Sequence, residues 1–303
     1  MGQLTPALRG HAAMLAFSAL VAGSFSLGAQ VANEITPLAL NAVRFWLAAG
    51  VICVALLLSG QLRRGALRAG WRYAVLGGLF GAYFVLMFEG LKTAPPVSAA
   101  AVFTLTPAIT AVFGWVLLRQ VTTPRMAFAL ALAGCGALWV IFRADFAALR
   151  AFDIGRGEAI YFVGCVCHAL YTPLVRKLNR GEPVLVFTLG TLVGGGVLLS
   201  LLGLRDIAAT DWGALPALVW ITLVYLACFA SAASVWLLQT ATLRLPSAKV
   251  MAYTNLVPSW VILWEAAQGR PLPPLAVWFG VALTIVALMM LLRDETPVAV
   301  KPS

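Results

Sequence analysis

The chain is expected to be an all-α membrane protein of ten transmembrane helices, arranged as two inverted five-helix repeats. Of its 303 residues 62% are hydrophobic and only 11% charged, with a mean hydropathy of +0.94. That is too little charge to cover a soluble domain of this length. The charged residues gather in short breaks, leaving apolar runs of about 18–25 residues, the length a helix needs to cross a hydrocarbon core of about 30 Å. A pattern also returns at fixed distance: Pro95 and Pro246, Pro107 and Pro258, Arg119 and Arg270, Leu105 and Leu256, Ala131 and Ala282, and Leu132 and Leu283 are each 151 positions apart. Internal duplication is the simplest source of such an offset.

The spans expected in order are 14–32, 37–58, 71–91, 96–118, 125–142, 157–175, 184–202, 216–238, 247–267 and 273–292. Pro95 and Pro96 suit the first turn of a helix, where the missing N–H has no partner within the helix. Arg9 ahead of the first apolar stretch imitates a secretory signal, but nine further spans favour an uncleaved first helix. The breaks are too short for an appended soluble module. The polar segment 143–156 is the natural join between a first repeat, 1–150, and a second, 151–303.

Lys and Arg in alternate breaks fix the expected orientation. One side collects Arg9, Arg63, Arg64, Arg68, Arg72, Arg119, Arg125, Arg176, Lys177, Arg180, Arg244, Arg293 and Lys301. The other holds Lys92, Arg143, Arg150, Arg156, Arg205 and Arg270. The richer side is the cytoplasm by the positive-inside rule, which puts both termini inside. The acidic residues Glu34, Asp145, Asp153, Glu158, Asp206, Asp211 and Glu265 fall mostly on the other face. Because five spans is an odd number, the second repeat enters from the opposite side, the arrangement that places a substrate near the midplane in secondary transporters.

The net charge of +10 forms no basic patch with interleaved aromatics, so no nucleic-acid partner is expected. Cys53, Cys135, Cys165, Cys167 and Cys228 all lie in apolar runs, which argues against a disulfide framework. The segment Gly194-Gly195-Gly196 reads as a close helix contact, since no strand precedes it to make a phosphate cradle. No nucleophile with a paired base, phosphate loop or closed zinc spacing is visible, so no enzyme activity, cofactor or metal is expected.

Gly23-Ser24-Phe25, Pro37 through Arg44, Ser98-Ala99-Ala100 leading to Thr106-Pro107, and Pro246-Ser247-Ala248 leading to Val257-Pro258 together resemble the drug/metabolite transporter superfamily, specifically its ten-helix EamA-type members. The likeness runs from about Ala12 to Leu292. It implies export or exchange of small metabolites, often amino acids, through a cavity lined by the first, third, fourth, sixth, eighth and ninth spans. The family commonly closes its fourth and ninth spans with Gly-Glu. Here those places read Arg119-Gln120 and Arg270-Pro271, so that carboxylate has no counterpart.

Within this frame Pro107 and Pro258 are expected to kink their helices and free carbonyls near Phe103 and Thr254, which then need a protein or water partner. Thr104 and Asn255, 151 apart beside the kinks, are candidate substrate residues; repair of the kink is the alternative. Lys249, with Tyr253 one turn on, is a candidate receptor for a substrate carboxylate; snorkelling to the interface is its alternative. Trp260, Tyr83 and Gln239 complete the candidate substrate site. Arg44 and Glu89 are expected to pair as an outer gate, against the alternative of Glu89 with Lys92. His168 is a candidate for the coupling proton, against a packed histidine. Taken together, the sequence describes a monomer-competent secondary transporter in a bacterial inner membrane. Its partners are the lipid bilayer and a small-molecule substrate, with proton coupling at His168. An intramembrane enzyme on a lipid-soluble substrate and a structural membrane subunit are the alternatives.

Overall fold

The computed structural model describes residues 6–60, 69–151 and 154–293. Arg63, Arg64, Arg68, Asp153 and Lys301, used above to orient the chain, lie outside them. The described residues are helical throughout, with no strand. In order the helices are α1 (Pro6–Val31), α2 (Pro37–Ser59), α3 (Trp71–Leu91), α4 (Pro96–Phe103), α5 (Thr106–Leu118), α6 (Pro124–Ile141), α7 (Phe146–Ala151), α8 (Arg156–Leu178), α9 (Val184–Leu202), α10 (Leu204–Ala209), α11 (Ala217–Ala227), α12 (Ser234–Thr242), α13 (Ser247–Ala252), α14 (Val257–Ala267) and α15 (Leu275–Leu292).

Nine stretches among the described residues are long and apolar enough to span a membrane, with α4–α5 and α11–α12 each counted as one. The tenth expected span is broken. Between α13 and α14 the chain winds into a 3₁₀ turn over Tyr253–Leu256, and Pro258 then opens α14. A second break falls at Thr104 and Leu105, with Pro107 in the first turn of α5. Both prolines thus do what their position requires: the helix stops before them and restarts where an N–H is not needed. A third irregularity was not foreseen, a π-helical turn over Cys228–Ala233 that joins α11 to α12.

Glycines set how closely the helices approach. A Cβ on Gly77 of α3 would collide with the backbone of Gly195, and one on Gly194 would lie 2.5 Å from the Tyr73 carbonyl oxygen. The triple glycine is therefore a contact between α9 and α3, as small residues permit in membranes. Gly136 of α6 and Gly280 of α15 meet in the same manner, each aimed at the other's carbonyl. Because the early part of α6 lies with the end of α15, around Leu130 and Leu291, these two helices run antiparallel.

A buried ion pair ties α3 to the α8–α9 connection. Arg72 donates from Nη2 to Glu182 Oε1 at 2.6 Å and from Nη1 to the Leu178 carbonyl at 2.6 Å. Desolvation works against the Glu182 charge, but the bonds from Arg72 and from the Arg180 N–H outweigh it and hold the carboxyl below the usual carboxylate range.

Two outcomes follow. Gly77→Leu should cost about 1–3 kcal/mol through overpacking, read as a lowered melting temperature in detergent, whereas Gly50→Ala, with open space around it, should be neutral. For Glu182, the depressed folded value means that its contribution is present above about pH 4.3 and lost as pH falls further. Glu182→Gln should flatten the acid limb of the melting profile below that pH, and an unchanged limb would contradict the assignment.

Candidate transport site

The carbonyl that Pro107 releases is satisfied by a hydroxyl, while that of Thr254, four residues before Pro258, takes the Val257 N–H. Thr106 Oγ1 donates to the Phe103 carbonyl at 2.6 Å and Thr104 Oγ1 to Ala101 at 2.7 Å. At the break between α13 and α14 Thr254 Oγ1 donates to Met251 at 2.8 Å, and Thr284 Oγ1 of α15 reaches the Asn255 carbonyl at 3.1 Å. Thr104 is therefore occupied in repairing its own helix. Asn255 is different. Its side chain is fully buried, yet neither amide atom has a hydrogen-bond partner. Such a group costs about 1–3 kcal/mol unless something meets it during function.

His168 of α8 is likewise buried with both ring nitrogens lacking partners, a larger deficit than the single unmet hydroxyls of Ser24, Ser26, Thr110, Thr222, Ser247 and Ser259. Aromatic rings surround it. Tyr83 lies edge-on with centroids 4.5 Å apart, Phe103 at 5.3 Å, Phe80 at 5.6 Å, Tyr171 at 6.1 Å and Phe17 at 6.5 Å. These rings come from α1, α3, α4 and α8, so four helices build the box. Tyr161 donates its hydroxyl proton to Tyr83 Oη at 3.2 Å, beside the box. Of this group only Tyr83 and His168 were singled out from sequence. The signal for the rest was helical spacing: Phe80, Tyr83 and Phe84 share one side of α3, as Tyr161, His168 and Tyr171 do on α8.

The remaining candidates divide. Trp260 is half-buried and donates from Nε1 to Ser18 Oγ at 3.2 Å, joining α14 to α1. Gln239 is saturated: its oxygen accepts from Thr188 at 2.6 Å and its nitrogen donates to Tyr171 at 2.9 Å and Thr191 at 3.2 Å. Its amide holds α12, α9 and α8 together and is not free to meet a solute. Lys249 is 9% exposed, within electrostatic reach of His11, and Tyr253 Oη lies 3.0 Å from His11 Nδ1.

The expected Arg44–Glu89 pair is not formed in this structure. Glu89 takes Lys92 at 2.6 Å instead, because the two stand one turn apart at the end of α3. Arg44 is wholly buried and turns the other way, into the π turn. Its Nη2 donates to the Ala230 carbonyl at 2.8 Å, Nε to Ser231 Oγ at 2.6 Å and Nη1 to Asn41 Oδ1 at 3.3 Å, while the guanidinium carbon stands 3.5 Å over the Phe84 ring. The wide turn presents carbonyls that a regular helix would keep for itself. No carboxylate among the described residues pairs with Arg44.

Polar groups buried at broken helices inside a bundle of membrane-spanning helices define a polytopic transport protein, the class in which irregular backbone is tolerated because it lines a solute path. The model of the EamA-like transporter family matches residues 8–142 and again 155–293, and the chain belongs to that family. It is 29% identical over 279 residues to the "Uncharacterized transporter YyaM" of Bacillus subtilis (strain 168), covering 91% of each chain. A solved crystal structure superposes with a TM-score of 0.72 at 21% identity, over 96% of this chain and 98% of that one, which bears on the fold alone.

Arg44→Lys keeps the charge but loses the planar fork that reaches two groups at once. It should destabilise by about 1–3 kcal/mol, measured as thermal unfolding in detergent, and a melting temperature equal to wild type would contradict the anchoring role.

Proposed function

We propose that this transporter exports or exchanges small polar or zwitterionic metabolites, amino acids or close relatives, by alternating access about a midplane site. The two halves, divided near the 143–156 join, are inverted copies that rock against each other. The membrane is a bacterial inner membrane with both termini cytoplasmic, in keeping with the Lys and Arg bias of the breaks. The observation that carries the reading is the pair of unmet buried groups, the Asn255 amide and the His168 imidazole, at the 3₁₀ break and in the aromatic box. An amide offers donors and an acceptor to a zwitterion's charged ends. A ring box offers an apolar wall for the remainder of the solute, and a neutral imidazole can take up the coupling proton. Lys249 stands at the inner mouth as the first positive charge a carboxylate meets. Arg44 is assigned here to holding the π turn, not to a vestibule.

Purified protein in liposomes should give saturable flux of one or more amino acids, stimulated by an imposed proton gradient. Asn255→Ala and His168→Phe should each lower that flux about tenfold, the equivalent of about 1.4 kcal/mol, while retaining the wild-type melting temperature. Flux absent across an amino-acid panel would overturn the solute class, and wild-type flux in both variants would overturn the site.

A further inference from the structure

The two family matches begin 147 positions apart, at residues 8 and 155. At that offset Arg9-Gly10-His11, in the first turns of α1, falls on Arg156-Gly157-Glu158 at the start of α8. The contacts repeat as well. A Cβ on Gly10 would press on Arg244 and Leu245, while one on Gly157 would press on Thr93 and Ala94, their counterparts at the 151 offset. His11 Nδ1 stands 3.0 Å from Tyr253 Oη with Lys249 within electrostatic reach; Glu158 accepts from Ser98 Oγ at 2.7 Å, and Ser98 is the 151-offset counterpart of Lys249. Each glycine lets a helix start seat on the connection before a broken helix, and the next residue then reaches a polar partner in that helix. Glu158 is 4% exposed and Gly157 also abuts the Gly90 carbonyl, so this end is tightly shut.

From this correspondence we infer that His11 with Tyr253, and Glu158 with Ser98, are the two alternating closures of the transport path. They occupy the same places in the two repeats and lie at opposite mouths. These are positioning residues: they do not touch the solute, but set which face the midplane site opens to. Both are made here, which corresponds to an occluded form. The inference rests on the alternating-access reading above and supplies the gate that Arg44 and Glu89 do not form in this structure. Loss of one closure should bias the population toward its own side, since the surviving closure then holds the other end. The helix-start residues differ in kind, a histidine at one end and a glutamate at the other, so the two closures can be tested by separate substitutions.

The test needs no known solute. In a background with the five cysteines replaced, Asn255→Cys reports access to the midplane, and a membrane-impermeant maleimide is applied to right-side-out or inside-out vesicles. Glu158→Ala should speed labelling from outside at least threefold and slow it from inside, and His11→Ala with Tyr253→Phe should do the reverse. Glu158→Gln, which keeps the acceptor, should restore wild-type rates. If Glu158→Ala does not fold, Ser98→Ala breaks the same bond and must give the same bias. Variants that shift labelling in the same direction, or not at all, overturn the proposal. Absence of any flux from wild-type liposomes, with opposed labelling shifts intact, would instead count against the transport reading.

Discussion

A backbone carbonyl released inside a hydrocarbon layer has no water to bond, so every break in a spanning helix must be repaired from within the protein. This constraint organises the molecule. Pro107 and Pro258 break two helices; Thr106 Oγ1 donates to the freed Phe103 carbonyl, the Val257 N–H to that of Thr254, and hydroxyls of Thr104, Thr254 and Thr284 bond further carbonyls beside the breaks. The π turn at Cys228–Ala233 is a third break, and there the repair comes from Arg44, whose long donor fork reaches a carbonyl that no neighbouring hydroxyl serves. What is left over once the backbone is satisfied is more informative than what is used. Besides single hydroxyls such as those of Ser24, Ser26, Thr110 and Thr222, the Asn255 amide and the His168 imidazole remain unmet at both of their polar atoms. Their isolation is the physical basis for placing a solute between them and the aromatic box.

Much of the architecture was legible because lipid makes the code simple. Apolar length gives spans, prolines give breaks, and triple glycine gives close approach; the helix ends at Trp71, Leu91, Val184, Leu202 and Leu292 fall where composition put them. The partner of a buried polar side chain was harder to read. Arg44 and Glu89 sit at similar depth, and opposite charges suggested a pair, yet sequence carries no mark of a π turn whose carbonyls compete for the guanidinium. Gln239 looked available for a solute because Thr188, Thr191 and Tyr171 lie 48 to 68 residues away, and nothing local announces that they converge. His11 and Glu158 were passed over for another reason: each stands at a helix start, where a polar residue usually just meets water.

The internal copy is also less regular than the prolines suggest. The offset is 147 at the repeat starts and 151 further on, so four extra positions lie between the first and fourth spans of the second copy. A search at a single offset therefore finds the broken helices and misses the helix starts. Yet the starts carry the geometry that relates the copies, with Gly10 on Arg244 and Leu245, and Gly157 on Thr93 and Ala94. The same two positions hold a histidine that meets Tyr253 in one copy and a glutamate that accepts from Ser98 in the other. A shared frame with different charge at each end suits a carrier that must meet unlike surroundings on its two sides.

All of this requires that corresponding positions of the two copies face opposite sides of the membrane. Thr93 and Arg244 are 151 apart, exposed, and each precedes a broken helix. With single cysteines at these places, an impermeant maleimide applied to intact cells should label the Thr93→Cys protein and spare Arg244→Cys until the membrane is opened. Labelling of both positions in intact cells, or of Arg244→Cys alone, would contradict the arrangement proposed here.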